Sequence, residues 1–337
     1  MTTIALDAMG GDHGPPVTIA AAQRALTHHR DLQLVLVGEE ETLREACLAR
    51  DLALDERVRI EHATQVVLMD DKPSTALRGK RDSSMRVAIN LVRDGQADAC
   101  VSAGNTGALM AIARFVLKTL PGVDRPAICA AMPGIKGHTY VLDLGANVDS
   151  SSEELFRFAV MGSVLVESVD NRASPTVALL NIGEEEIKGN DRVKQTASLL
   201  EKSSLNYAGF AEGDDIFKTK YDVVVCDGFV GNVALKASEG VARLLADMAR
   251  EEFTRNPWNK ISALFAKSAL SGVKRRADPR QYNGASLLGL KGIVIKSHGS
   301  ADAMSFSQAI NVAVLETTKR VPERISEMLE EFLVESE

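Results

Sequence analysis

Short apolar runs in this chain repeatedly stop at loops of glycine, small polar residues and single acids. Five such loops read "LDAMGGDHG" from Leu6, "VSAGNTGA" from Val101, "VLDLGANVDSS" from Val141, "VCDGFVGN" from Val225 and "IKSHGSAD" from Ile295. Glycine lets a backbone approach a ligand closely or take positive φ, while Asn, Ser, Thr and Asp supply hydrogen bonds without bulk. Helical patterns begin just after several of these loops, for instance at Ala108, so main-chain N–H groups and positive helix ends should face the same space. Such a construction binds an anion, phosphate first and a carboxylate second. Charged side chains that could join it are few. "NIGEEEIKGN" offers Lys188, which can equally be a solvated lysine before a helix, and a Gly-flanked turn offers His298, able to titrate or simply donate. His13 could cap the next helix, and His28 and His29 suit the end of one.

These loops need a scaffold that brings strand ends together. Strand patterns fall at 4–6, 34–37, 58–60, 99–102, 127–131, 139–142, 176–180, 222–226 and 292–296, alternating with helical patterns at 17–27, 40–50, 81–95, 108–119, 153–168, 191–201 and 304–317. The alternation predicts an α/β fold: three layers, α/β/α, around a mostly parallel sheet, in one catalytic unit over residues 1–337. In a parallel sheet the carboxyl ends share one edge, so the five loops are expected to converge there. Residues 233–277 break the pattern. They carry no strand signal, only two helical stretches interrupted by Pro257, which predicts a helical hairpin. Its second arm gathers Trp258, Ile261, Leu264 and Phe265, and residues 254–280 hold seven Lys/Arg, among them Lys274, Arg275 and Arg276, against the single acid Asp278. A dimerisation hairpin with a solvated basic rim accounts for this, and so does a surface for anionic lipid or an acidic protein.

Composition and missing motifs exclude several classes. A formal net charge of −7 argues against nucleic-acid binding. The start "MTTIALDA" has neither a basic n-region nor a long apolar run, so no secretory signal is expected, and no stretch suits a membrane-spanning helix; the expected address is the cytoplasm. The four cysteines, Cys47, Cys100, Cys129 and Cys226, are scattered, which predicts neither a disulfide framework nor a zinc site. G-x-G-x-x-G, G-x-x-x-x-G-K-[ST] and G-x-S-x-G are all absent.

Taken in order, "DAMGGDHGP", "SAGNTGA", "DLGAN", "NIGEE", "DGFVGN" and "HGSAD" resemble the phosphate acyltransferases of bacterial phospholipid synthesis, the PlsX family, from residue 4 to about residue 316. The resemblance implies a fold similar to the isocitrate and isopropylmalate dehydrogenases and a homodimer with a helical hairpin at its interface. It implies reversible transfer of a fatty acyl group from acyl carrier protein to inorganic phosphate. The acyl phosphate then serves a membrane glycerol-3-phosphate acyltransferase, and the protein associates peripherally with the inner membrane face. Neither metal nor cofactor is implied. Carried onto this sequence, Lys188 and Asn232 are the catalytic pair, Lys188 neutralising phosphate or intermediate and Asn232 donating to the oxyanion. Ser102, Gly104, Asn105 and Thr106 would cradle phosphate; Asp143, Asn147 and His298 would line the crevice, with Asp7 and His13 at its edge. Two other classes stay open: a coenzyme-dependent transferase or oxidoreductase on the same fold, and a non-catalytic scaffold at the membrane.

Overall fold

The computed structural model describes residues 1–276 and 278–335. Its strands are β1 (Thr2–Asp7), β2 (Leu32–Gly38), β3 (Val58–His62), β4 (Ala99–Ser102), β5 (Ala127–Gly134), β6 (Gly137–Leu142), β7 (Val177–Leu180), β8 (Tyr207–Ala211), β9 (Val223–Val225), β10 (Ala285–Leu288) and β11 (Ile293–Lys296). Its helices are α1 (Pro15–His28), α2 (Glu40–Leu48), α3 (Pro73–Gly79), α4 (Ser84–Arg93), α5 (Thr106–Leu117), α6 (Ser152–Val169), α7 (Asp191–Glu201), α8 (Asp215–Lys218), α9 (Gly228–Thr254), α10 (Pro257–Arg276), α11 (Ala303–Lys319) and α12 (Val321–Glu335). None of the described helices is long and apolar enough to cross a membrane.

All eleven strands join one sheet in the order β3-β2-β1-β4-β11-β10-β5-β6-β9-β7-β8. Its central strands are covered on both faces, so they are uniformly apolar, as in "VVV" of β9, rather than alternating. One face carries Ala5, Cys100, Val294, Ile128, Val141 and Val224 against α4 and α5. On the opposite face, Leu6, Val101 and Ile295 pack on α1 and α11, and Leu142, Val223 and Val225 pack on α6, α7 and α12. The result is the three-layer α/β/α architecture, and α9 and α10 form the hairpin.

One expectation fails. Seven of the ten strand pairings are parallel, but β11–β10, β10–β5 and β5–β6 are antiparallel. The three reversals make β6, β9, β7 and β8 run opposite to β1, β4 and β11. The loops after β1, β4 and β11 therefore lie on one edge of the sheet, and those after β6, β9 and β7 on the other. The short β10, which gave no strand signal, is inserted antiparallel between β11 and β5; its two reversals cancel and leave β5 running with β11, so the change of direction is made by the β5–β6 hairpin.

Candidate active site

At the first edge, Asp7, Ser102 and Lys296 end three adjacent strands in one register row. Asp7 is buried and holds its surroundings together. One carboxylate oxygen accepts from Ser84 Oγ at 2.6 Å and the other from Ser102 Oγ at 2.6 Å. Burial pushes its carboxyl up, against the hydrogen bonds from Ser102 and Ser84 and from the Met9 and Gly10 backbone. Ser102 Oγ also accepts from Gly104 N at 3.0 Å. A Cβ on Gly10 would lie 2.5 Å from Asp7 Oδ2, which is why the loop passes there as glycine. Asn105 caps α5 by accepting from Ala108 N at 3.0 Å, while its Nδ2 donates to Met69 O at 2.8 Å and Asp71 O at 3.0 Å. The side chains of Asp7, Ser102 and Asn105 thus brace the loop from within. What remains facing outward is the exposed Thr106, the amides of Thr106 and Gly107 that open α5, exposed His13 and exposed His298.

His298 Nδ1 accepts from Ser300 N at 3.3 Å and lies 2.9 Å from Ser300 Oγ, which leaves the ring proton on Nε2. Partial desolvation of the ring, together with the charges of Lys236, Lys296 and Arg243 and against that of Glu239, holds the imidazole below its ordinary range. His298 is therefore a neutral donor.

At the second edge, Asp143 organises the loop after β6. Oδ1 accepts from the backbone N–H of Ile128, Gly145 and Ala146 at 3.0–3.1 Å, and Oδ2 from Asn147 N at 2.7 Å and Asn147 Nδ2 at 2.9 Å. Asn147 Nδ2 also donates to Pro126 O at 2.9 Å. Both residues act inside the loop. Asp227 caps α9 by accepting from Val230 N at 3.0 Å, and Gly231 in that first turn packs directly onto Asp143 O with no room for a Cβ. This close approach places Asn232 against Gly145, where a Cβ would lie 3.3 Å from Asn232 Cβ. Lys188 stands on the loop after the neighbouring strand β7. Its Nζ pairs with Glu185 at 2.7 Å, and that bond raises the lysine above its usual range. Asn181 Nδ2 ties this loop by donating to Gly183 O at 3.1 Å.

Helix α9 relates the two edges. Lys236 lies one turn after Asn232, and its charge acts on both Lys296 and His298 across the fold. Lys296, Ser84 and Lys236 were not read as site residues from the sequence. Lys296 closes an apolar strand and Ser84 looks like half of a helix cap, so only their burial reveals them.

On the hairpin, Trp258, Leu264 and Phe265 are 78%, 70% and 86% exposed, and Ile261 is 45% exposed. Arg275 is exposed, whereas Arg276 donates to Ile135 O at 3.1 Å and ties the hairpin's return to the β5–β6 turn. Ala277 and the side chain of Lys274 lie outside the described residues.

The architecture is that of the phosphotransacylases. A phosphotransacetylase from Streptococcus pyogenes superposes with a TM-score of 0.63 at 16% identity, covering 94% of each chain. The EutD phosphotransacetylase from Staphylococcus aureus gives 0.60 at 17% identity, again over 94% of each. The sequence goes further. Residues 2–324 match the family described as "Fatty acid synthesis protein". The phosphate acyltransferase of Methylococcus capsulatus is 60% identical over 98% of this chain and 97% of its own, and that of Nitrosococcus oceani 57% identical over 99% and 98%. The chain belongs to this family of phosphate acyltransferases, and it is an acyltransferase.

Proposed function

We propose that the protein takes a long-chain fatty acyl group from the thioester of acyl carrier protein and passes it reversibly to inorganic phosphate, giving acyl phosphate for phospholipid synthesis. A phosphate oxygen adds to the thioester carbonyl carbon to give a tetrahedral oxyanion, which collapses with cleavage of the C–S bond; the sulfur leaves as the thiol, taking up the proton that hydrogen phosphate gives up. Phosphate is itself a competent nucleophile, so the protein mainly positions it and stabilises the oxyanion. Asn232 donates its amide to that oxyanion, and Lys188 exchanges Glu185 for the developing negative charge. The observation that carries the reading is Asn232, pressed against Gly145 just after the first turn of α9, beside the strand whose loop bears Lys188. Direct transfer also accords with the four cysteines: all are buried, and burial raises the thiols, so none is exposed as an acyl-accepting thiolate. The amides of Thr106 and Gly107 that open α5, the Thr106 side chain and His298 contribute to phosphate binding, with His13 beside them. The reading needs neither metal nor cofactor.

In the same reading the chain acts as one catalytic unit within a homodimer, with the α9–α10 hairpin as dimer interface and membrane contact. Trp258, Ile261, Leu264 and Phe265 enter the headgroup region of an anionic membrane, and the basic run of the sequence at 274–276, of which Arg275 is exposed, attracts lipid or carrier protein. That location hands acyl phosphate to a membrane glycerol-3-phosphate acyltransferase at the inner face.

The test is hydroxylamine trapping of acyl phosphate from palmitoyl acyl carrier protein and inorganic phosphate, with palmitoyl coenzyme A in parallel. Phosphate-dependent hydroxamate from the carrier protein, lost by about a hundredfold or more in Lys188→Ala and Asn232→Ala, is the expected result. Product from the coenzyme A thioester alone would assign a phosphotransacetylase-like donor instead.

A further inference from the structure

Lys296 is the most unusual charged residue at the first edge. It stands in one register row with Ser102 and Asp7, and their relative exposures are 9%, 0% and 1%. Its Nζ donates to Ala103 O at 3.3 Å and to Ser297 O, tying the loop after β4 to the loop after β11. Both partners are neutral carbonyls, and no carboxylate of the described residues pairs with it. An ammonium carries three donors, so one N–H and the whole charge remain without a partner. Asp7 does not compensate directly, because its oxygens face Ser84 and Ser102 at 2.6 Å each. A buried cation bonded only to neutral groups is costly, and such a site gains by taking in an anion.

The surrounding groups define which proton states are available. Burial lowers Lys296 to about 8; Asp7 on β1 and Asp12 on the following loop oppose this, and Lys236 on α9 reinforces it. His298, two residues on, is kept neutral with Nε2–H free.

We propose that Lys296 is a substrate-binding residue, the counter-charge of the acceptor phosphate, which lies over the ends of β4 and β11 and takes hydrogen bonds from Lys296 Nζ and His298 Nε2. The assignment rests on the acyl-to-phosphate reading and adds to it the group that neutralises the acceptor before attack. It also gives Lys236 a part, as a second positive charge on the helix that carries Asn232.

Three measurements on the full chain test it. Hydroxamate kinetics of Lys296→Met should raise the KM for inorganic phosphate about thirtyfold with the KM for the acyl donor within twofold, and Lys296→Arg should recover most of the loss. Calorimetric titration with inorganic phosphate should weaken in parallel. Sulfate, which does not titrate in this range, should inhibit the unaltered protein competitively with phosphate. Its Ki should rise about eightfold from pH 7.5 to 9 as Lys296 loses its proton, and stay flat in Lys296→Arg. A raised donor KM with unchanged phosphate KM, or a sulfate Ki indifferent to pH, overturns the assignment. Should Lys296→Met fail to fold, the arginine variant and the sulfate profile decide alone. Absence of hydroxamate from the unaltered protein would instead refute the acyl-transfer reading, while calorimetry would still report whether Lys296 binds phosphate.

Discussion

Replacing Asp143 by Asn tests whether one buried carboxylate sets the geometry of the second edge. The substitution keeps the shape but leaves one oxygen where there were two. With the remaining oxygen toward the N–H groups of Ile128, Gly145 and Ala146, the new amide faces Asn147 N and Nδ2, two donors that each lose an acceptor. A buried donor left unsatisfied costs about 1–3 kcal/mol, so the two together cost about 2–6 kcal/mol. Removing a charge whose carboxyl burial already pushes up returns part of this. A net loss of about 3 kcal/mol follows. With an unfolding entropy of about 2.1 cal/mol/K per residue over 337 residues, that corresponds to a drop of about 4 °C in Tm. The same change loosens Gly145, against which Asn232 packs, so kcat in the hydroxamate assay should fall at least about tenfold. Calorimetric melting and kinetics on one preparation measure both. An unchanged Tm with full kcat would refute the inference that Asp143 organises this loop.

Three further outcomes are expected. Glu185→Gln frees Lys188 from its 2.7 Å partner; the pair is exposed and worth at most about 1 kcal/mol, so the KM for phosphate should fall by no more than about fivefold, and a rise would contradict the pairing as a competitor of substrate. Gly231→Ala puts a Cβ onto Asp143 O and Cys226 Sγ; despite a helix-propensity gain of about 1 kcal/mol, it should lower Tm and abolish most activity, whereas Gly240→Ala, with open space around it, should raise Tm slightly. Glu316 is buried beside Ser286 and raised by burial to about 7. Its folded value exceeds its unfolded one, so its contribution is complete below about pH 4.5 and is lost as pH rises through 7. Urea titrations of the unaltered protein and Glu316→Gln at pH 5 and pH 8 should therefore converge at the lower pH and show the Gln variant more stable at the higher.

Most elements were legible in the sequence, because their causes are local, although β8, β10, α3, α8 and α12 gave no signal that was read. An apolar run ended by Gly and Asp, followed by a helical period, reads as strand, loop and helix wherever it falls, and "SAGNTGA" or "DGFVGN" is legible without its neighbours. Pro257 likewise marks the hairpin turn. Sheet direction was not legible. It turns on the β5–β6 hairpin, where two strands that each read as one more apolar run pair antiparallel, while β10, four residues with no pattern of their own, pairs antiparallel on both sides and leaves β5 running with β11; a strand pattern does not say which neighbour it will meet or in which sense. Roles within the loops were equally hidden. Asp7, Ser102, Asn105, Asp143 and Asn147 have the residue types of ligand-binding groups, yet their hydrogen bonds close on the protein, because the same donors and acceptors serve a buried backbone turn as well as a phosphate. Lys296 reverses the case. Nothing in "GIVIK" distinguishes a strand-end lysine that reaches solvent from one enclosed by two loops, and only the tertiary structure, by removing water from around that ammonium, turns it into a charge in need of an anion.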